Sequence, residues 1–144
     1  MKKTQKTQND FEKAKSTIAI AYSGGVKAIQ CYYDGSFEKM GKKLLEHYSK
    51  WQKTMGLMNL GTIVVLGENT KQYNKEKNVD GTLDLASSGK EKVPFALYKS
   101  VAELMETETD SEYMYLWVTD KWYGLKVNKK KPYLSGFNLL TNLV

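Results

Sequence analysis

Thr17, Gln30 and Tyr32, with Lys15, Ser16 and Asp34 beside them, form the first group of side chains whose types could do chemistry. A hydroxyl, an amide, a stacking ring and an ammonium are what a nucleotide or an unpaired base asks of its site. A second group stands near the other end of the chain, where Trp117 and Lys121-Trp122-Tyr123 combine aromatic faces with a cation. Neither group is catalytic in type. His47 is the only histidine, and a metal site or a Ser-His-Asp arrangement needs more convergent ligands than it can recruit. It is expected to pack or to hydrogen-bond. Cys31 falls on an inward strand position, which disfavours the reactive thiolate. Ser23-Gly24-Gly25 reads as a hairpin turn rather than a phosphate loop, and no GxxxxGK[ST] run is present. No catalytic residue, metal set or cofactor is expected.

The elements that must carry these groups are legible in outline. With Gly24-Gly25 as a two-residue loop, Ile20 faces Ile29 and Ile18 faces Cys31. One hairpin face then collects Ile18, Ile20, Tyr22, Ile29, Cys31 and Tyr33. The other collects Thr17, Ala19, Ala21, Ala28, Gln30 and Tyr32, small and half-polar. A one-residue slip would scatter the large groups. Asp34-Gly35 turns the chain, and Ser36 is a natural N-cap. Phe37, Met40, Leu44, Tyr48, Trp51 and Met55 recur at helical spacing, so one long amphipathic helix is expected over about 36–55, closed by Gly56. Its stripe should cover the large-residue face of the hairpin.

Thr62 to Leu66 is a β-branched run between glycines and reads as a buried strand. Residues 68–92 read as a long polar loop in which Leu83-Asp84-Leu85 adds a short edge strand. Val93 to Tyr98 is a further strand. Ser100 and Glu103 form a capping box for a short helix over about 101–108. Glu112 to Val118 and Trp122 to Val127 make a second hairpin about Thr119-Asp120-Lys121. Both faces of its first strand are apolar, which places it centrally. Asn128 to Lys131 is a basic turn, and the apolar end from Leu134 to Val144 should dock on the core or on a partner chain. The expected fold is α+β: an antiparallel sheet of about five or six strands, the long helix on one face, and the short second helix. Residues 1–15 read as a basic tail, and 16–144 as a single domain.

All 22 basic residues are lysine, and the net charge is +6. The excess favours a polyanionic or acidic partner. Without arginine, the chain cannot make the bidentate guanidinium contacts that read phosphate or guanine. Charge is uneven: Val101 to Asp120 holds Glu103, Glu106, Glu108, Asp110, Glu112 and Asp120 and no lysine. A positive body with a negative patch can self-associate. One cysteine rules out a disulfide framework and fits a reducing cytoplasm. No signal peptide is evident and no apolar run is long enough to span a bilayer.

About two thirds of the chain also resembles a family of small uncharacterised phage and prophage proteins. The residues that carry the resemblance are Lys15-Ser16-Thr17-Ile18, Cys31-Tyr32-Tyr33-Asp34-Gly35, Gly41-Lys42-Lys43-Leu44-Leu45-Glu46-His47-Tyr48 and Leu60-Gly61, with Glu112 to Trp117 and Lys121-Trp122-Tyr123 later. Where the family has Arg, this chain has Lys15; where it has His-Trp, this chain has Tyr32-Tyr33. The resemblance implies a phage origin and a fold, not a mechanism.

Composition and resemblance together lead to three expectations for function. The first is a counter-defence protein that acts by binding and sequesters an anionic nucleotide signal of host immunity, by tyrosine stacking and lysine contact. The second is a protein–protein inhibitor of a host defence nuclease complex, anti-CRISPR-like. The third is a small enzyme, disfavoured by the missing catalytic cluster. The partners expected are a nucleotide or a host defence protein, with non-specific nucleic acid as a further candidate and no membrane. Location in the host cytoplasm is expected. A homo-oligomer is expected too, because the second hairpin face, the tail and the apolar C-terminus lack an evident cover.

Overall fold

The structure is a computed structural model and describes residues 11–127 and 136–144. The start of the basic tail and the basic turn 128–131 lie outside the described residues.

The fold is α+β. Among the described residues one sheet runs in the order β4-β3-β2-β1-β6-β7-β8, with β5 beside β2 off this path. The strands are β1 (Ser16–Tyr22), β2 (Gly25–Cys31), β3 (Ile63–Val65), β4 (Leu83–Asp84), β5 (Ala96–Tyr98), β6 (Tyr113–Val118), β7 (Lys121–Lys126) and β8 (Asn138–Leu139). That is more than the five or six strands expected; β4 and β5 fall within stretches read as strands, 83–85 and 93–98, and β8 is a two-residue piece with no pattern of its own. The sheet is also mixed, not antiparallel: β1 runs parallel to β6, and β2 to β3. Long connections carrying helices separate both pairs in sequence, and such crossovers allow parallel neighbours.

The first hairpin pairs Ile18 with Ile29 and Tyr22 with Gly25, so the loop is Ser23-Gly24 and the register differs by two residues from the expected one. Gly25 is needed inside the ladder. Its φ is +135°, and a Cβ there would lie 2.6 Å from the Tyr98 carbonyl oxygen of β5. A shift of two keeps side-chain parity, so both faces keep the membership read from the sequence. Tyr33 is the exception. The strand ends at Cys31, Asp34 turns at φ 59°, and Tyr33 packs half-buried against Phe11 and the Val64, Val65 and Leu85 cluster, away from Ile18 and Ile20.

The expected continuous helix is broken. A π-helical turn (Phe37–Gly41) leads into α1 (Lys42–His47), and α2 (Trp51–Leu60) follows after an interruption at residues 48–50. Neither proline nor glycine marks the break. Instead, the Tyr48 carbonyl accepts the Trp122 indole N–H at 2.8 Å, and Ser49 Oγ donates back to the Leu45 carbonyl at 2.5 Å. Both interactions draw helix carbonyls away from helical partners. Gly56 therefore lies inside α2, and the true terminator is Gly61 at φ 70°. Within the stripe Met40, Leu44 and Tyr48 are buried, whereas Trp51 is 48% exposed. Leu57 and Met58 take over the inward role in α2.

These segments close the main core with Ile18, Ile20, Ile29, Cys31, Tyr115, Trp117, Trp122 and Leu140. β6 is central as expected, with Tyr115 and Trp117 on this side and Met114 and Leu116 on the other. Its turn is tighter than expected, a two-residue loop with both Thr119 and Asp120 at positive φ, which matches the twist of the flanking strands.

The second face is not bare. The helix α3 (Val101–Thr107) starts at Ser100, whose Oγ accepts the Glu103 N–H, and lays Leu104 over Ala19, Val26, Ala28 and Leu116. The C-terminal Leu140 and Leu143 dock on the main core. Two of the grounds for expecting an oligomer, an uncovered sheet face and an undocked C-terminus, are therefore removed.

Candidate functional site

The first group of sequence candidates gathers at one end of the sheet, largely as a closed polar network. Thr17 and Ser16 are wholly buried, so neither side chain meets solvent or a ligand. Thr17 Oγ1 donates to Gln30 Oε1 at 2.9 Å and lies 2.6 Å from Ser111 Oγ. Gln30 Nε2 donates to Glu108 Oε2 at 2.7 Å, and the Tyr98 hydroxyl donates to the same oxygen at 2.9 Å. Lys15 is paired with Asp110 at 2.5 Å. The Asp34 carboxylate accepts the Glu12 backbone N–H at 2.8 Å and faces Lys39 at 3.4 Å. The network staples the end of α3 and the segment before β1 onto the sheet. The small half-polar face is thus covered by α3, because alanines let a helix approach closely. Tyr32 remains a partly exposed ring at 37%.

Burial, then the Glu108 carboxylate, pushes the Tyr98 phenol up to about 12. Burial lifts the Cys31 thiol from 9.0 to about 12 and raises the Tyr48 and Tyr115 phenols as well. In each case the fold favours the protonated form. Stability is then whole below the unfolded values and falls as pH rises from about 9 towards 12. The denaturation midpoint should hold level from neutral pH to about 9 and decline beyond it. A midpoint level through pH 12 would contradict this burial.

The second sequence group lies at the opposite end of β6. Ser16 pairs with Tyr113 and Ile20 with Trp117, so the two groups cannot form one site. Here the helix break opens a cleft of about 330 Å³. Trp117, Trp122, Leu45 and Leu139 give it apolar walls; Ser49, Thr141, Asp120 and Lys121 give it polar ones. The two indoles meet edge to face, 5.4 Å between ring centres. Tyr123 points to the other side of the sheet, towards Leu116 and Phe137.

A charged cleft of about 320 Å³ adjoins it, and Ser49 lines both. Its walls are Glu46, His47, Lys50, Lys53 and Glu68. His47 Nε2 lies 3.6 Å from Glu46 and 3.7 Å from Glu68. The lysines belong to the start of α2, where no side chain caps the helix, so their charges add to that of the helix terminus. Trp51 stands exposed beside Lys50.

Of the two groups of sequence candidates, only Trp117, Lys121 and Trp122 line this site. Ser49, Lys50 and Lys53 are additions for which the unbroken helical spacing through Tyr48 gave no signal; Leu139 and Thr141 join from the C-terminal segment, and His47, expected to pack or to hydrogen-bond, lines the charged cleft. Among the described residues no group of three or more His, Cys, Asp or Glu could hold a metal ion, and no helix is long and apolar enough to cross a membrane. No protein-family model, curated protein or solved structure matches this chain.

Proposed function

We propose that this protein acts by binding a small ligand that joins a flat ring to an anionic group, with a nucleotide as the class that fits. The observation that carries the reading is the pair of clefts at the helix break, one walled by Trp117 and Trp122 and one by Lys50 and Lys53, meeting at Ser49. An apolar pocket with a few convergent polar groups is the usual form of a small-molecule site. The ring would enter between Leu45, Leu139 and the indoles. The anionic group would face the lysines, where charge-assisted hydrogen bonds are strongest. The resemblance to phage proteins supplies the setting: sequestration of a nucleotide signal made by host immunity.

Thermal melts with a panel of linear and cyclic nucleotides test the proposal. A ligand at a hundred times its Kd should raise stability by about 2.7 kcal/mol. Removing both lysines (Lys50→Ala with Lys53→Ala) should weaken binding by about tenfold or more while leaving the melt without ligand unchanged. A true pocket holds its ligand as salt rises, whereas loose polyanion binding falls steeply. Absence of any shift across the panel, combined with co-purification of a host protein complex, would replace this reading by that of a protein inhibitor.

A further inference from the structure

We infer, resting on the reading of these clefts as a nucleotide site, that the base taken is guanine and that the Asp120 carboxylate selects it. Asp120 sits in the loop between β6 and β7 and lines the same cleft as Trp117 and Trp122. It is the only carboxylate among the described residues that line that cleft. Among the described residues no hydrogen bond or ion pair engages this carboxylate, and Lys121 beside it makes none with it. An ionised carboxylate accepts hydrogen bonds and donates none.

The charges of the two clefts set the direction of the ligand. Lys50 and Lys53 line the adjoining cleft, beyond the shared Ser49, and draw the phosphate there. The carboxylates of that cleft, Glu46 and Glu68, are turned to His47 at 3.6 Å and 3.7 Å. Asp120 repels a phosphate from the indole cleft and leaves that space to the uncharged base. The base edge that meets Asp120 must then offer N–H donors, because an acceptor there would face oxygen lone pairs.

Guanine alone among the common bases has two adjacent donors, N1–H and the N2 amino group, spaced to meet both oxygens of one carboxylate. Adenine and cytosine each set a ring-nitrogen acceptor beside the amino group, and uracil has a single N–H between two carbonyls. Each of these would leave a carboxylate oxygen against a lone pair. Thr141 lines the cleft too, and its hydroxyl can donate to the guanine O6. The indoles do not choose between bases, since every base has a face to pack on them. The Trp122 N–H is already committed to the Tyr48 carbonyl at 2.8 Å, which leaves the choice to Asp120.

Calorimetric titration with the monophosphates of guanosine, inosine, adenosine and uridine should rank guanosine first, by about tenfold over adenosine, as a bidentate pair allows. Inosine lacks the N2 amino group and should fall between them. Asp120→Asn should turn the preference from guanosine to xanthosine monophosphate, whose C2 carbonyl accepts from the new amide. Asp120 has a φ of 63°, a conformation that asparagine adopts readily, so the melt without ligand should not move. The inosine comparison reads the contact in the unaltered chain even if the variant misfolds. Nucleotide binding without a guanine preference, or a guanine preference that Asp120→Asn leaves intact, would overturn this assignment and leave the nucleotide site standing. Binding of none of these nucleotides would overturn both.

Discussion

Tyr48→Ala is expected to lower the unfolding free energy by about 3–5 kcal/mol, the range for a large aromatic deleted from a core. Tyr48 is wholly buried at the break between α1 and α2. Its ring belongs to the main core, and its hydroxyl donates to the Gly67 carbonyl at 2.7 Å. Tyr48→Phe separates the two contributions. It keeps the ring and removes one buried hydrogen bond, leaving the Gly67 oxygen without that donor, so about 1–3 kcal/mol should be lost. The Trp122 indole binds the backbone carbonyl of residue 48, not its side chain. Tyr48→Phe should therefore keep the helix break and any nucleotide binding that depends on it. Urea titration of the three proteins measures all of this. A cost below about 1 kcal/mol for Tyr48→Ala would mean that the side chain is not the anchor of the break.

Leu44→Ala should cost about 2–5 kcal/mol. Leu44 is fully buried in α1, facing the hairpin residues and β6 through the main core. The spread depends on how far Met40, Leu57 and Met58 can close over the space left behind. A methionine neighbour is flexible enough to fill part of it, which favours the lower half of the range. Near-zero destabilisation in the same titration would show that α1 does not seal the core.

Parity and capping were legible in the residues themselves. The alternation of Ile18, Ile20, Ile29 and Cys31 marks the core face whether the loop is Ser23-Gly24 or Gly24-Gly25, because the two registers differ by an even step. Ser100 and Glu103 announce α3 locally, since a capping box needs only neighbours three residues apart. The double apolar face of Tyr113 to Val118 foretells a central strand, because only a strand covered on both sides can bury both. Local chemistry and short periods settle such features without reference to the rest of the chain.

What depended on distant partners was decided by the tertiary structure. The stripe from Phe37 to Met55 has an unbroken helical period, yet the chain leaves the helix at Tyr48, where the Trp122 indole competes for its carbonyl. That competitor lies 74 residues away along the chain, and nothing between Leu44 and Lys53 signals it. The clefts at the break exist for the same reason. The half-polar face of Thr17, Ala19, Ala28 and Gln30 was read from the sequence as a surface for something to approach, and α3 is what approaches it. Glu108 and Ser111 satisfy the very groups that looked free for a ligand. Sequence by itself determined which side chains share a face within β1, β2 and β6. Only the fold decided which faces are covered, because covering is a long-range contact that no local pattern encodes.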